Sequence, residues 1–208
     1  MLNLDTLIIN FDKGLRTLFA HAQTARPIPG ADLPEADLSA AEKKLAGALM
    51  RINHSGEICA QALYQGQSLT ARDPETQKAL EQAAWEETEH LAWCESRIQE
   101  LGSHKSFLNP LLYTGSLAIG AFAGALGDKW SLGFLAETEH QVGKHLGGHL
   151  QRLPAHDDKS HAVLSQMQQD EAKHATTALQ HGGAALPSPV KLAMKLSSKI
   201  MTKTTFWV

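Results

Sequence analysis

The chain has 208 residues, enough for one domain with a substantial hydrophobic core. Hydrophobic residues make up 43% of it and charged residues 20%, which excludes a wholly disordered, collagen-like or coiled-coil chain. Its net charge of −3 disfavours a nucleic-acid-binding protein, and its two cysteines form no CxxC unit that would indicate a disulfide framework or a thiolate zinc site.

The first 38 residues are predicted to form one helix and a loop. Apolar residues recur from Leu4 to Phe19 as in an amphipathic helix. Charged residues interrupt this run, and no small-residue cleavage site follows it, so it does not resemble a secretory signal. Residues 24–38 contain several prolines and are predicted to be a loop.

Start and stop signals divide the rest of the chain into long helices. Ser39 and Glu42 form a capping-box pattern, and Asp73-Pro74 is a typical helix start. Four long helices are predicted, over 39–71, 73–101, 129–153 and 157–181. They are about twice the average helix length of ~11–12 residues. Two pairs of long helices and few alternating patterns predict an all-α four-helix bundle within a single domain, 1–208, the bundle spanning 39–181.

Glu-x-x-His motifs carry the chemical signal. Glu87 and His90 lie on the second long helix, and Glu171 and His174 lie on the fourth. Residues three apart share one helix face, so each pair can hold one metal ion. Each motif also follows another mid-helix glutamate, Glu57 by 30 residues and Glu139 by 32 residues, which is the length of one helix-turn-helix return. This repeated arrangement is typical of ferritin-like di-iron or di-manganese carboxylate bundles.

The predicted metal ligands are thus four glutamates and two histidines: Glu57, Glu87, His90, Glu139, Glu171 and His174. Glu137, three residues before His140, competes with Glu139, and the repeat spacing favours Glu139. Taken singly, each of these side chains could be a solvated helix residue. Three other glutamates of the second long helix are expected to be solvated: Glu86, Glu89 and Glu95.

Two further segments have the character of membrane-associated helices. Residues 106–127 carry no charge and are long enough to cross a bilayer. A crossing would separate the two halves of the metal site, so this segment is expected to lie in the interface, to dip in and return, or to pack on the bundle through Gly120-x-x-x-Gly124. Residues 187–208 carry a lysine every four residues and no acid, which suits an anionic lipid surface. A buried crossover helix and an ordinary solvated lysine face are the respective alternatives.

Several motifs together resemble the demethoxyubiquinone hydroxylase family, over roughly residues 40–208. They are Arg51-Ile-Asn-His-Ser-Gly-Glu57, Ala60-Gln-Ala-Leu-Tyr-Gln-Gly66, Glu86-Glu-Thr-Glu-His90, Glu137-Thr-Glu-His140 and Asp170-Glu-Ala-Lys-His174. The resemblance implies one iron held by Glu57, Glu87 and His90 and a second held by Glu139, Glu171 and His174. It implies Glu87 and Glu171 as bridges. It also implies a histidine after the third ligand glutamate that orients a ligand or relays a proton, here His145, which a solvated helix position would explain equally well.

The resemblance further implies O2-dependent ring hydroxylation of a polyprenyl demethoxy-quinone or quinol, late in ubiquinone biosynthesis. The position after His145 is Leu146, where eukaryotic members often carry tyrosine, so no role of that tyrosine is transferred. An external, NADH-derived reductant is expected, since the chain shows no dinucleotide-binding fingerprint. The expected location is peripheral, on the cytoplasmic face of a bacterial inner membrane. The expected partners are the quinone, the membrane surface, other proteins of the pathway and a second copy of the chain through the glycine-rich segment, but no nucleic acid.

Three other functions remain open at this point. The first is a ferritin-like iron-oxidising or storage protein, which would lack lipid-facing segments. The second is a manganese catalase-like enzyme, which differs in its metal and in peroxide turnover. The third is a non-catalytic, membrane-associated lipid-binding helical protein, which would bind no stoichiometric metal.

Overall fold

A computed structural model describes residues 4–208 and shows a helical protein. Within these residues there are seven helices: α1 (Leu4–Phe19), α2 (Ala40–Thr70), α3 (Pro74–Glu100), α4 (Asn109–Ala125), α5 (Asp128–Leu150), α6 (Asp158–Gln180) and α7 (Ser188–Thr205). The four predicted long helices are α2, α3, α5 and α6, and every end lies within three residues of its predicted position. The first three residues of the predicted domain fall outside the described part. The all-α fold class is confirmed.

The predicted capping residues begin the first two bundle helices. The Ser39 side chain accepts the backbone N–H of Glu42, and the Glu42 carboxylate accepts the backbone N–H of Ser39 at 2.9 Å. The Asp73 carboxylate accepts the N–H of Thr76 at 2.9 Å. These contacts satisfy backbone donors that have no partner inside a helix, so local sequence sets where α2 and α3 begin.

Two apolar layers divide the bundle along its length. One layer contains Leu49 and Met50 of α2, Trp93 of α3, Leu146 of α5 and Leu164 of α6. In the second layer lie Ala60 and Tyr64 of α2, Leu80 of α3, Leu135 of α5 and Ala178 of α6. On each of the four helices the predicted ligand residues fall between these two layers in sequence. The polar centre is therefore enclosed from both ends by close-packed side chains.

Helix α4 connects the two helix pairs and packs on α2. A methyl group on Gly120 would overlap the backbone of Leu63, and one on Gly66 would overlap the backbone of Leu117 and Ala121. The glycine face predicted to allow close packing is thus used within the chain, between α2 and α4. The other face of α4 is exposed and apolar, at Leu111, Ile119 and Phe122 among others. Among residues 4–208, no helix is both long and apolar enough to span a membrane.

Candidate metal centre

The structure brings all six predicted ligand residues together in the middle of the bundle. They form two groups of possible ligand atoms, and within each group these atoms lie within 4.8 Å of one another: Glu57, Glu87, His90 and Glu171 in the first, Glu87, Glu139, Glu171 and His174 in the second. Glu87 and Glu171 belong to both groups. Five of the six side chains are buried, and His174 is 10% exposed.

The two histidines face the cluster in the same way. His90 Nδ1 lies 2.9 Å from Glu87 and 3.2 Å from Glu171. His174 Nδ1 lies 3.4 Å from Glu87 and 3.3 Å from Glu171. The third carboxylate of each group lies farther from the histidine Nδ1 atom. Glu57 is 4.0 Å from His90 Nδ1, and Glu139 is 3.9 Å from His174 Nδ1. Each imidazole therefore presents the same nitrogen to both shared glutamates, as the repeated motif requires.

The opposite nitrogen of each histidine meets an acid from the other half of the repeat. His174 Nε2 lies 2.5 Å from Glu86, which precedes Glu87 in the chain. His90 Nε2 lies 3.4 Å from Asp170, which precedes Glu171. A carboxylate in this position fixes the ring orientation and directs the other nitrogen toward a metal. The prediction that Glu86 is simply solvated is wrong, because the imidazole of α6 lies over it. The acid immediately before each Glu-x-x-His motif is the signal that could have revealed both contacts.

Mutual repulsion and burial perturb the glutamates of the cluster. Burial raises the pKa of Glu57 and of Glu139, and the neighbouring carboxylates raise both pKa values further. Burial also disfavours ionisation of Glu87, but the positive charge of His90 and hydrogen bonds from both histidines outweigh it and lower its pKa. The pKa of His90 is raised against the effect of its burial, by Glu87 and by hydrogen bonds to Asp170 and Glu171. Four buried carboxylates within one small volume thus favour added positive charge.

The donor set fits two divalent cations of the iron or manganese type. Glu57 has an Oε1 atom that is buried and has no hydrogen-bond partner among the described residues. Buried carboxylate oxygens are rarely left unpartnered, because their desolvation is costly. Carboxylates together with imidazoles suit iron and manganese, and shared carboxylates suit two ions held close together. The cluster can therefore hold two such ions with the six predicted residues.

Glu137 and His145 lie outside this cluster. Glu137 pairs with Lys191 of α7 at 2.9 Å, so α5 directs Glu139 rather than Glu137 inward, in line with the repeat spacing. In the described part of the chain, no hydrogen bond joins His145 to any of the six residues. Its ring contacts that of His149 with the centroids 4.1 Å apart, and its Nε2 atom is buried without a partner. A role for His145 beside a ligand stays a prediction.

The loop before α2 lies against α3 and changes the surroundings of two other acids. Glu89 accepts the backbone N–H groups of Ala25 and Arg26 and the hydroxyl of Thr24. Glu95 accepts the N–H of Ala22. Both acids are buried, at 2% and 6% exposure, so the prediction that they are solvated is wrong. Helix periodicity could not show this, because the covering segment is an irregular loop.

Two cavities lie on different sides of the centre, and one of them reaches it. An open groove of about 920 Å³ between α3 and α6 has Glu86 and His174 among its lining residues. A cavity of about 530 Å³ between α1, α2 and α3 is lined in part by Gln61, Tyr64 and Leu91. The Tyr64 hydroxyl donates a hydrogen bond to Glu139, so this second cavity leads to the cluster through one side chain.

An all-α bundle that holds two Glu-x-x-His motifs and two more glutamates in its core defines a ferritin-like carboxylate–histidine protein. The family model for the ubiquinone biosynthesis protein COQ7 matches residues 44–205, and the chain belongs to this family. Relatives named 3-demethoxyubiquinol 3-hydroxylase are 67% identical in Nitrosospira multiformis and 65% identical in Nitrosomonas europaea, each over 208 residues and 100% of both chains. A relative with the same name in Dechloromonas aromatica is 60% identical over 202 residues, 97% of this chain and 98% of its own. The resemblance stated from the motifs is confirmed, as is the prediction of a monooxygenase-type enzyme.

Proposed function

We propose that the chain hydroxylates the ring of a polyprenyl demethoxy-quinone or quinol in ubiquinone biosynthesis, at a centre of two iron ions. The names and the full-length identity of the relatives support the reaction. Bound iron would supply activation of O2 and transfer of one oxygen atom to the ring, with electrons from an external, NADH-derived reductant. The observation that carries the proposal is the pair of ligand groups that share Glu87 and Glu171.

In this proposal the six residues have distinct tasks. Glu57 and His90 would hold one ion, Glu139 and His174 would hold the other, and Glu87 and Glu171, which belong to both groups, would serve both ions. Asp170 and Glu86 contact the outer nitrogens of the two histidines and so keep Nδ1 of each directed at the cluster. Carboxylates suit a centre that changes its oxidation state, because they can bind through one or both oxygens as the charge of the ion changes.

The apolar layers shield the reacting atoms from water at the two ends of the cluster. Trp93 and Leu146 lie on one side of the ligand residues, and Leu80 and Leu135 lie on the other. Tyr64 projects from the second layer, and its hydroxyl donates to Glu139. Burial raises the pKa of Tyr64, and the charge of Glu139 raises it further. The phenol therefore stays protonated and holds Glu139 in place.

The cavity beside Tyr64 suits the approach of an apolar substrate. It opens between α1, α2 and α3, and Leu91 and the half-exposed Trp85 belong to its lining. The outer face of α1 exposes Leu7, Phe11 and other large apolar side chains. Helix α4, which also exposes apolar side chains, is in contact with α1. We propose that these faces lie on a lipid surface, at the cytoplasmic side of a bacterial inner membrane, and that the quinone ring reaches Tyr64 from there.

Iron content and product formation test the proposal together. The protein is loaded anaerobically with Fe(II), and bound iron is quantified in wild type, Glu139→Ala and Glu137→Ala. Wild type and Glu137→Ala are expected to hold two irons per chain and to convert a short-chain demethoxyquinol to a product 16 mass units heavier. Glu139→Ala is expected to lose at least one iron and the activity.

Each alternative result points to a different function. Well-folded wild type that binds neither iron nor manganese would exclude the catalytic proposal and favour a lipid-binding protein. Manganese content with peroxide turnover would indicate a catalase-like enzyme. Iron binding and oxidation without hydroxylation would indicate an iron-oxidising protein of the ferritin type.

A further inference from the structure

The two halves of the centre differ in their access to solvent. The His90 side chain is 0% exposed and that of its acid partner Asp170 is 7% exposed. The His174 side chain is 10% exposed and that of its partner Glu86 is 33% exposed. The motif repeat makes the two halves alike in their ligand residues, so this difference comes from what surrounds them.

The His90 half is covered by the loop before α2. Arg26 forms an ion pair with Asp170 at 2.9 Å, and its guanidinium lies 4.5 Å from the centroid of a Trp93 ring. The Trp93 ring in turn lies 5.2 Å from that of His90. A cation that approached Asp170 would have to displace a bound guanidinium. Arg26 and Asp170 also line the α3–α6 groove, where the bound guanidinium opposes the approach of a metal ion to His90.

The His174 half opens into the groove between α3 and α6. The three cations of its lining are each paired with an acid: Arg26 and Lys173 with Asp170, and Lys78 with Glu75. Glu86 is also part of this lining, and in the described part of the chain no lysine or arginine pairs with it. Its Oε2 atom contacts Nε2 of His174, whose Nδ1 faces Glu87, Glu139 and Glu171. One ionisable contact thus connects the groove to the shared ligands.

The cavity beside Tyr64 offers a cation fewer suitable ligands on the way to the centre. Its rim carries Lys13 and Arg16, and its inner end is the neutral Tyr64 phenol that occupies an oxygen of Glu139. A strongly hydrated divalent ion gives up water only for ligands that replace it, and anionic oxygens do so best. The α3–α6 groove presents such an oxygen in contact with His174. Glu81, the acid in the lining of the Tyr64 cavity, contacts Ser68 and Gln77 and, among the described residues, none of the six predicted ligand residues.

We infer that divalent metal ions reach the centre through the α3–α6 groove and that Glu86 is their first protein ligand, passing them to the His174 half. This inference rests on the proposed two-metal centre and adds its uptake route and an assisting residue. Glu86 Oε1 accepts from Gln82 in the groove lining at 2.7 Å, and its Oε2 contacts His174. The carboxylate thus joins the groove to the imidazole, and it would capture the ion outside and release it inward. Local negative charge at such a point raises the association rate of cations.

Uptake kinetics of Co(II) by the metal-free full-length protein test the route. The visible absorption of bound Co(II) is followed by stopped flow, and the final Co(II) content is measured after removal of free metal. Glu86→Gln keeps an oxygen that can accept from His174 but loses the charge. It is expected to take up Co(II) about tenfold more slowly than wild type and to reach the same final content. Glu75→Gln removes an equal charge from the same groove, where Lys78 pairs with it, and is expected to stay within twofold of wild type.

Two variants that add a large side chain, one inside the α3–α6 groove and one outside it, test this uptake route independently of Glu86. Thr177 belongs to the groove lining, whereas its neighbour Thr176, also exposed, does not. Thr177→Arg is expected to slow Co(II) uptake at least as strongly as Glu86→Gln, and Thr176→Arg is expected to leave it unchanged.

The outcomes separate the route from the centre itself. Wild-type uptake rates in both Glu86→Gln and Thr177→Arg, with full final content, would overturn the route and leave the two-metal centre intact. Absence of Co(II) binding in wild type would instead contradict the centre. If Glu86→Gln changes only the rate of Co(II) release, Glu86 merely positions His174 and is not the first ligand. If Glu86→Gln fails to fold, the threonine pair decides the question alone.

Discussion

The close packing of α4 on α2 predicts an unusual response to alanine at Gly120. A glycine in a helix interior costs about 1 kcal/mol relative to alanine, so its replacement normally stabilises a helix. At Gly120 the added methyl group would overlap the backbone carbonyl of Leu63. Backbone atoms cannot move aside as the end of a flexible side chain can, so the two helices would have to separate.

The magnitude follows from these two opposing effects. Overpacking a tight contact costs about 1–3 kcal/mol, and the backbone overlap at Gly120 places the cost at the upper end. After subtraction of the gain in helix propensity, Gly120→Ala is expected to lower the free energy of unfolding by about 2 kcal/mol. For a chain of this length, that corresponds to a melting temperature about 4–8 °C lower, measurable by circular dichroism or calorimetry.

Gly148 provides the matched control, since nothing lies within 4 Å of a methyl group placed there in α5. Gly148→Ala is expected to raise the melting temperature slightly. Gly66 lies at the same interface, on α2. The stability losses of Gly66→Ala and Gly120→Ala are therefore expected to add up to more than the loss measured in the double variant. If Gly120→Ala stabilises the protein as Gly148→Ala does, the close approach of α4 to α2 does not exist and its role as a packed crossover is refuted.

Three further predictions concern acids and a phenol around the centre. Asp170→Asn removes the charge that holds His90, so metal affinity is expected to fall about tenfold in competition with a chelator. Tyr64→Phe removes the donor to Glu139 and is expected to lower the hydroxylation rate about tenfold at unchanged iron content, since an unpartnered buried carboxylate costs about 1–3 kcal/mol. Although burial opposes it, hydrogen bonds and nearby charge lower the pKa of Glu95 to about 2. Ionised Glu95 therefore stabilises the folded state fully above the ordinary pKa of a glutamate, and this stabilisation is lost as the pH falls towards 2. In urea titrations between about pH 5 and pH 2, wild type is expected to lose about 2 kcal/mol more of its free energy of unfolding than Glu95→Gln loses.

Each of these predictions has a control on the same kind of element. Asp158→Asn at the start of α6 should leave metal affinity unchanged, and equal losses in both aspartate variants would argue against the contact to His90. Tyr113→Phe loses a hydroxyl that donates to Gln65, away from the cluster, and should keep full activity. Glu95 contacts Lys105 at 2.8 Å and His54 at 3.4 Å. If Glu95→Gln and wild type lose stability equally as the pH falls, these contacts do not stabilise the folded state. The exposed Glu81→Gln serves as the reference for that comparison.

The bundle and the positions of the proposed ligand residues could be predicted because both depend on short-range regularities. Helix caps such as Ser39 and Asp73 act within three residues and are visible in the sequence. The separation of Glu57 from Glu87 and of Glu139 from Glu171 corresponds to one helix return. Burial of the remaining helix faces then brings these positions to one level between two apolar layers.

The contacts of Glu89 and Glu95 could not be predicted, and that of Glu86 only from its place before the Glu-x-x-His motif, because each depends on a segment distant in sequence. Glu89 and Glu95 are buried by a loop that has no periodicity, and Glu86 meets a histidine 88 residues later. A carboxylate on an otherwise polar helix face looks solvated until its partner is placed. The small cavity beside Tyr64 has the same origin, since its walls come from three separate helices.

The unequal surroundings of the two histidines follow from what lies outside the repeat. Each half of the repeat supplies a Glu, a Glu-x-x-His motif and an acid before that motif, which by themselves would give an equivalent pair of sites. The segment before α2 occurs only once, and it covers the face where Asp170 meets His90 through Arg26. No equivalent segment covers Glu86 and His174 in the described part of the chain, so that face remains a groove. A symmetric set of proposed ligand residues therefore acquires one histidine whose acid partner is covered by Arg26 and one whose acid partner faces the groove freely.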